Sequence, residues 1–201
     1  MKRLEQQMQF IERLDAMKQI GRQTYLSDGS RKENDAEHSW HLAIMAMLLT
    51  EYAEEPVDRL HVIEMVLIHD IIEIEAGDTY AYDKQAHTTK QARETLAADH
   101  LFSMLPEDQE KRLRALWDEF EAYETPEAKF AHMLDNVQPT MLNHASDAKA
   151  WEEHQVRLSQ ILHRNKRGSE TSRELWQYQY NHFIRPHVRT GQIIKDREEP
   201  V

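Results

Sequence analysis

The stretch LHVIEMVLIHDIIEIEAGD, residues 60–78, decides how this chain folds. Ile63, Val66, Leu67, Ile71 and Ile74 recur at helical spacing and form one apolar stripe. Val62, Met65 and Ile72 make a second stripe beside it. A helix apolar over so much of its circumference belongs at the centre of a core. Yet Asp70 falls inside the first stripe and His69 inside the second. Burying an ionised carboxylate is costly unless a cation stands beside it. Two readings satisfy that demand: an Arg paired with Asp70 while His69 bonds to a carbonyl, or a metal ion near both. Neighbouring positions on a helix diverge by ~100°, so adjacency alone does not put His69 and Asp70 on one ion. Glu73 follows His69 at i+4 and Asp70 at i+3, and therefore shares their face.

Outward from this stretch, helical patterns run nearly the whole length of the chain. The expected spans are 4–20, 34–52, 57–76, 90–104, 107–123, 126–145, 148–165 and 169–184. Asn34 and Glu37 have the spacing of a capping box, Gly77 suits a left-handed helix end, and Pro126 suits a first helical turn. Ser27, Asp28, Gly29 and Ser30 mark a loop. With 5 Gly, 6 Pro and no runs rich in β-branched residues, the composition indicates an all-α fold without a sheet. A length of 201 residues suits one compact domain, taken as 1–193, followed by a polar tail at 194–201 that is expected to fray.

The charge balance narrows the partners. A net charge of -11 argues against a nucleic acid polymer or an anionic membrane, both of which need clustered cations. A small anionic substrate remains compatible, because a metal ion and one Arg reverse the sign locally. The absence of Cys removes disulfides, thiolate metal sites and cysteine nucleophiles, and fits a cytoplasmic location. No stretch approaches the ~20 apolar residues that cross a bilayer.

Two further segments repeat the anomaly of the central helix. His38 lies in the first turn of the second helix, just before the apolar run Leu42–Leu49. Asp135 interrupts Phe130, Ala131, Leu134, Val137 and Met141, and Pro139 four residues later cannot donate to its carbonyl, so a kink is expected there. Singly, each has an ordinary explanation: a polar first-turn residue, or an acid paired with an Arg. His41, at i+3 from His38, reads as a packed or surface histidine. The run His163, Arg164, Asn165, Lys166, Arg167 reads as a solvated helix end. Trp176, Tyr178, Tyr180 and Phe183 read as core or as a dimer interface.

Together, His38, His69-Asp70 and Asp135 give the order His … His-Asp … Asp, which resembles the HD superfamily of metal-dependent phosphohydrolases. Glu37-His38-Ser39, His69-Asp70-Ile71-Ile72-Glu73 and Gly77-Asp78 resemble the branch of 5′-deoxynucleotidases and HD-domain-containing 2 proteins. Ile20-Gly21-Arg22-Gln23-Thr24-Tyr25 matches that branch as well, with Arg22 at its phosphate-orienting arginine. The resemblance spans roughly Leu4 to Asn143. It implies an all-helical homodimer that removes phosphate from nucleoside 5′-monophosphates with one divalent ion held by His38, His69, Asp70 and Asp135. It further implies Glu73 and Asp78 as catalytic residues and Arg22 and Thr79 as substrate contacts. Two departures bear on the sugar. The nucleotidases carry a Trp near the arginine where this chain has Gln23, and Thr79-Tyr80-Ala81-Tyr82 lacks their prolines. Selectivity for 2′-deoxy substrates is therefore left open.

Two imidazoles and two carboxylates form a site without soft ligands, suited to Mn, Co, Fe, Ni or Zn. Such an ion polarises a phosphoryl group and acidifies a bound water. The expected reaction is in-line attack of water on a phosphomonoester, with Glu73 orienting or deprotonating the water, Asp78 at the ribose or leaving oxygen and Arg22 on the phosphate. Two other classes stay open at this point. One is an HD phosphohydrolase acting on a cyclic or polyphosphorylated nucleotide. The other is a non-catalytic regulatory or binding protein that keeps the metal for stability.

Overall fold

The computed structural model of the protein describes residues 2–78, 80–81 and 87–196. Twelve α-helical segments and one β-hairpin appear among them. Helix α1 (Arg3–Leu14) runs on as a 3₁₀ turn to Gln19. It leads into strands β1 (Gly21–Tyr25) and β2 (Lys32–Asn34), paired antiparallel with Gly21 opposite Asn34 and Tyr25 opposite Lys32. This hairpin corrects the expectation of a chain without a sheet. The expected loop is its turn: Gly29 adopts φ +67° and the Asp28 carboxylate accepts from the Ser30 amide at 2.9 Å. Strands this short and polar leave no alternation of apolar residues to detect.

Helix α2 (Asp35–Leu49) begins where the capping box lies, with Asn34 accepting from the Glu37 amide and Glu37 accepting from the Asn34 amide. The reciprocal bonds satisfy two amides that the first helical turn would otherwise leave open. Helix α3 (Arg59–Ile68) is capped by Asp58. The expected continuous helix over 57–76 is in fact divided. After Ile68 the chain tightens, with Ile71 and Glu73 amides bonding three residues back to Ile68 and Asp70, before α4 (Glu73–Ala76) closes at Gly77. Gly77 has φ +75° and ψ 146°, so its freedom is used for an extended left-sided conformation rather than the expected left-handed helical cap.

Helices α5 (His87–Phe102), α6 (Glu107–Ala122) and α7 (Pro126–Ala145) complete the main layer. Helix α7 continues through Pro139 as one element; Thr140 Oγ1 donates to the Asn136 carbonyl one turn back. Leu42, Val62, Met65, Val66, Leu101, Phe102, Phe130 and Leu134 form the core between α2, α3, α5, α6 and α7. Truncating a fully buried aromatic such as Phe130 to Ala costs about 3–5 kcal/mol in such surroundings.

The expected C-terminal helices are more finely broken. The span 148–165 divides into α8 (Lys149–Glu153) and α9 (Leu158–Arg164) because Gln155 takes φ +50°. The span 169–184 divides into α10 (Gly168–Thr171), α11 (Arg173–Tyr178) and a π-helical segment Gln179–Ile184, followed by α12 (Arg185–Thr190). Ala148, Trp151, Val156, Ile161, Ile184 and Ile193 make a second apolar cluster. Ile194 pairs with Arg157, and Asp196 accepts from the Ser159 amide at 2.8 Å. The described part of the segment expected to fray is thereby attached to α9.

Candidate active site

The hairpin, the start of α2, the α3–α4 junction and the middle of α7 converge on one cavity of about 300 Å³. Arg22, His69, Asp70, Glu73, Asp78 and Asp135 line it. His38 is fully buried behind them, its Nε2 atom 3.0 Å from Asp135 Oδ1. His69 Nε2 stands 3.1 Å from Asp70 Oδ1 and 3.9 Å from Asp135 Oδ1. Ligand atoms of His38, His69 and Asp135 all lie within 4.8 Å of one another. Asp70 adjoins this trio, 3.1 Å from His69 Nε2 and 3.9 Å from His38 Nε2, while its own carboxylate groups with Asp35 and Glu73. Thr79 lies outside the described residues.

The partners of the two imidazoles decide what the site fits. His69 Nδ1 donates to the Val66 carbonyl at 2.9 Å, so in the neutral ring Nε2 is the lone-pair atom. That Nε2 is buried without a hydrogen-bond partner. His38 Nδ1 faces Gln138 Oε1 at 3.0 Å, while Gln138 Nε2 donates to Glu33 at 2.8 Å. These bonds assign the His38 proton to Nδ1 and again leave Nε2 as an acceptor. Burial, aided by Arg22, pushes His38 down to about 4, so it stays neutral at physiological pH. Each imidazole presents its Nε2 to a carboxylate oxygen at about hydrogen-bond distance; burial lowers the pKa of His69 but the charge of Asp70 raises it further, so a proton or a metal cation balances that contact. A divalent ion fits this donor set.

Arg22 occupies the floor of the same cavity. Its Nη1 donates to Asp70 Oδ2 at 2.7 Å and to Asp35 Oδ1 at 3.2 Å, and its Nε lies 3.6 Å from Glu33. Burial opposes the guanidinium charge, but Asp70, Asp135, Asp35 and Asp78 outweigh it and hold its pKa well above the usual value. The pairing of Asp70 with an Arg and the metal-site geometry are therefore both present. Asp135 is likewise paired with Arg164 at 3.2 Å while facing the imidazoles.

Glu73 is almost fully buried beside Asp35 and Asp70. Burial, then the charges of Asp70, Asp35 and Asp78, push its carboxyl up to about 12. It hydrogen-bonds to Asp35, which burial and Asp70 push up to about 7. Burial also raises Asp78. Sequence reading missed Glu33, Asp35 and Gln138. Glu33 and Asp35 flank the helix cap, where acids are common for the macrodipole alone, and Gln138 carries no charge to mark it. It also missed Arg164, which was assigned to solvent with its basic run but in fact lines the cavity. Lys90 and Glu94 also line the cavity, 3.5 Å apart.

The sequence model of the HD-domain family matches residues 14–176. The chain belongs to the HD-domain family. It is 30% identical over 152 residues to the 5′-deoxynucleotidase HDDC2 of Bos taurus, spanning 75% of this chain and 72% of that one. Against the 5′-deoxynucleotidase HDDC2 of Xenopus laevis it is 33% identical, over 65% of this chain and 64% of that one. The fold is similar to a crystal structure from Magnetospirillum magnetotacticum MS-1, described as a predicted metal-dependent phosphohydrolase. The TM-score is 0.89 and the identity 44%, and the match covers 95% of each chain. An HD-domain protein with this helical fold is a hydrolase of the metal-dependent kind. The described residues contain no helix long and apolar enough to cross a membrane.

Proposed function

We propose that this HD-domain protein hydrolyses nucleoside 5′-monophosphates to nucleoside and phosphate, with His38, His69, Asp70 and Asp135 holding one divalent ion. The observation that carries the metal site is the convergence of the two imidazole Nε2 atoms on carboxylate oxygens at 3.0 and 3.1 Å. The ion would polarise the phosphoryl group and lower the pKa of an attacking water. Mn, Co, Fe, Ni and Zn all suit the nitrogen and oxygen donors. The nucleotide substrate is supported by relatives named 5′-deoxynucleotidase over about three-quarters of the chain.

Glu73 orients the attacking water and accepts its proton, for which one of its oxygens, Oε2, is buried without a partner. Its raised pKa reflects the surrounding carboxylates, and a cation shared with Asp70 would bring it down. Asp78 lines the same cavity and would meet the sugar or the leaving oxygen. Arg22 directs its charge at the phosphate, and Thr79 adds a hydroxyl contact by its resemblance to the family motif.

The same reading includes a homodimer in the cytoplasm. Trp40, Ile44 and Leu48 form an exposed i, i+4, i+8 stripe on α2, with Trp40 62% and Leu48 65% accessible. A stripe of that kind is an interface in search of a partner. Ile44→Glu would leave a monomer by light scattering if the stripe is the interface.

Phosphate release from a panel of ribo- and deoxyribonucleoside monophosphates, with Mn, Co, Zn and Mg tried in turn, tests the activity. Release from AMP or dAMP that is abolished by a chelator supports it. Turnover confined to cyclic or polyphosphorylated nucleotides, or absent altogether with metal bound, overturns it.

A further inference from the structure

Arg164 ends helix α9, in a region whose basic character reads as a solvated helix end. Instead its Nη2 donates to Asp135 Oδ2 at 3.2 Å, and the side chain lines the cavity. Asp135 Oδ1 is the oxygen turned to the imidazoles, 3.0 Å from His38 Nε2. The two oxygens of one carboxylate are therefore divided between an arginine and the histidine pair. A free carboxylate rotates about its last torsion, which is broad and two-fold. A donor fixed on one oxygen removes that freedom and presents the other in a single direction.

The end of α9 is itself fixed. Ile161 is buried, and Asn165 Nδ2 donates to its carbonyl at 2.9 Å. Gln179, in the π-helical segment, donates to Asn165 Oδ1 at 3.2 Å and to Thr140 Oγ1 at 3.0 Å. Its amide also reaches the Asn136 carbonyl at 3.3 Å. Asn136 is the residue next to Asp135. A buried amide thus ties the helix carrying Arg164 to the helix carrying Asp135, within one turn of both side chains. Single π-helical turns inside α-helices commonly accompany functional sites, and Gln179 is the first residue of this one.

We propose that Arg164 is a positioning residue for the metal centre: it holds Asp135 Oδ2 so that Oδ1 faces His38 and His69. Helix α9 and the π-helical segment that carries Gln179 are on this view part of the active-site scaffold. The inference rests on Asp135 as a metal ligand, and the experiment separates the two.

Mn affinity is measured on the purified full chain by electron paramagnetic resonance for wild type, Arg164→Gln, Arg164→Lys and Asp135→Asn. Thermal midpoints are recorded without metal. Arg164→Gln is expected to weaken Mn about 10–100-fold, the range for partners that orient a ligand. Its metal-free midpoint should stay near wild type, because the lost ion pair is partly exposed. Arg164→Lys keeps one donor and should recover part of the affinity. Mn binding by Arg164→Gln as tight as wild type, while Asp135→Asn binds weakly, overturns the role of Arg164. So does a loss of affinity that merely follows a collapse of the metal-free midpoint and is equal in Arg164→Lys. Wild-type affinity in Asp135→Asn would instead remove Asp135 from the ligand set, and the inference with it.

Discussion

His38 Nδ1 lies 3.0 Å from Gln138 Oε1, and that contact determines which nitrogen His38 offers to the cavity. Gln138 is itself oriented by donating to Glu33, so a chain of three buried side chains sets one tautomer. Breaking the middle member should release the ring. Gln138→Leu is expected to weaken divalent-metal binding about 10–100-fold. Metal titration of the purified variant checks this, and unchanged affinity would mean that the ring is oriented by something else.

Glu73 and Asp35 share a hydrogen bond beside Asp70. Glu73→Gln keeps the shape and one hydrogen-bonding oxygen but cannot accept a proton. Metal content should stay at wild-type level while kcat falls about 10²–10⁴-fold, the usual contribution of a general base. Loss of metal together with activity would reassign Glu73 to the ligand set.

Arg22 faces Glu33, Asp35, Asp70 and Asp135 within 4.0 Å. Removing the guanidinium leaves buried carboxylates uncompensated. Arg22→Met should lower metal-free stability by about 3 kcal/mol, or roughly 6–12 °C in midpoint for a chain of this size. Added divalent ion should narrow the gap, since Asp70 and Asp135 then gain another cation. Melting curves with and without Mn test both halves, and an unshifted metal-free midpoint would contradict the charge assignment.

His132 stacks on Phe120 with ring centroids 4.0 Å apart and donates to the Phe120 carbonyl. Burial pushes it down to about 4 from the ordinary value near 6.5. Between those values the unfolded chain binds the proton and the folded chain does not. Stability contributed by neutral His132 is thus complete above pH 6.5 and drains away as pH falls toward 4. By pH 5 the loss is about 1–2 kcal/mol. Urea denaturation at pH 7 and pH 5 should show it, with His132→Gln losing less over the same interval. Equal losses in both proteins would assign the acid sensitivity elsewhere.

How much of this was legible without coordinates differs from residue to residue. His69 and Asp70 stood out because polar groups on an apolar stripe cannot be explained by the helix that carries them. Asn34 and Glu37 marked a helix start because capping is a local exchange between residues three apart. Pro126 at the head of α7 and the apolar runs of α2 and α7 were equally local. Arg22 is legible only through a motif, and His38, though set before an apolar run, has an ordinary reading as a polar first-turn residue until the motif joins it to the others.

Glu33, Asp35, Gln138 and Arg164 were invisible for one reason. Each is an ordinary polar residue whose meaning comes from a partner far along the chain: 105 residues separate Gln138 from Glu33, and 29 separate Arg164 from Asp135. The sequence alone therefore determined the helical class, the central buried helix and the unusual charges within it, because periodicity and burial cost act over a few residues. Only the folded chain decided which carboxylate oxygen meets which imidazole nitrogen, because hydrogen-bond direction and distance exist only after the helices have packed.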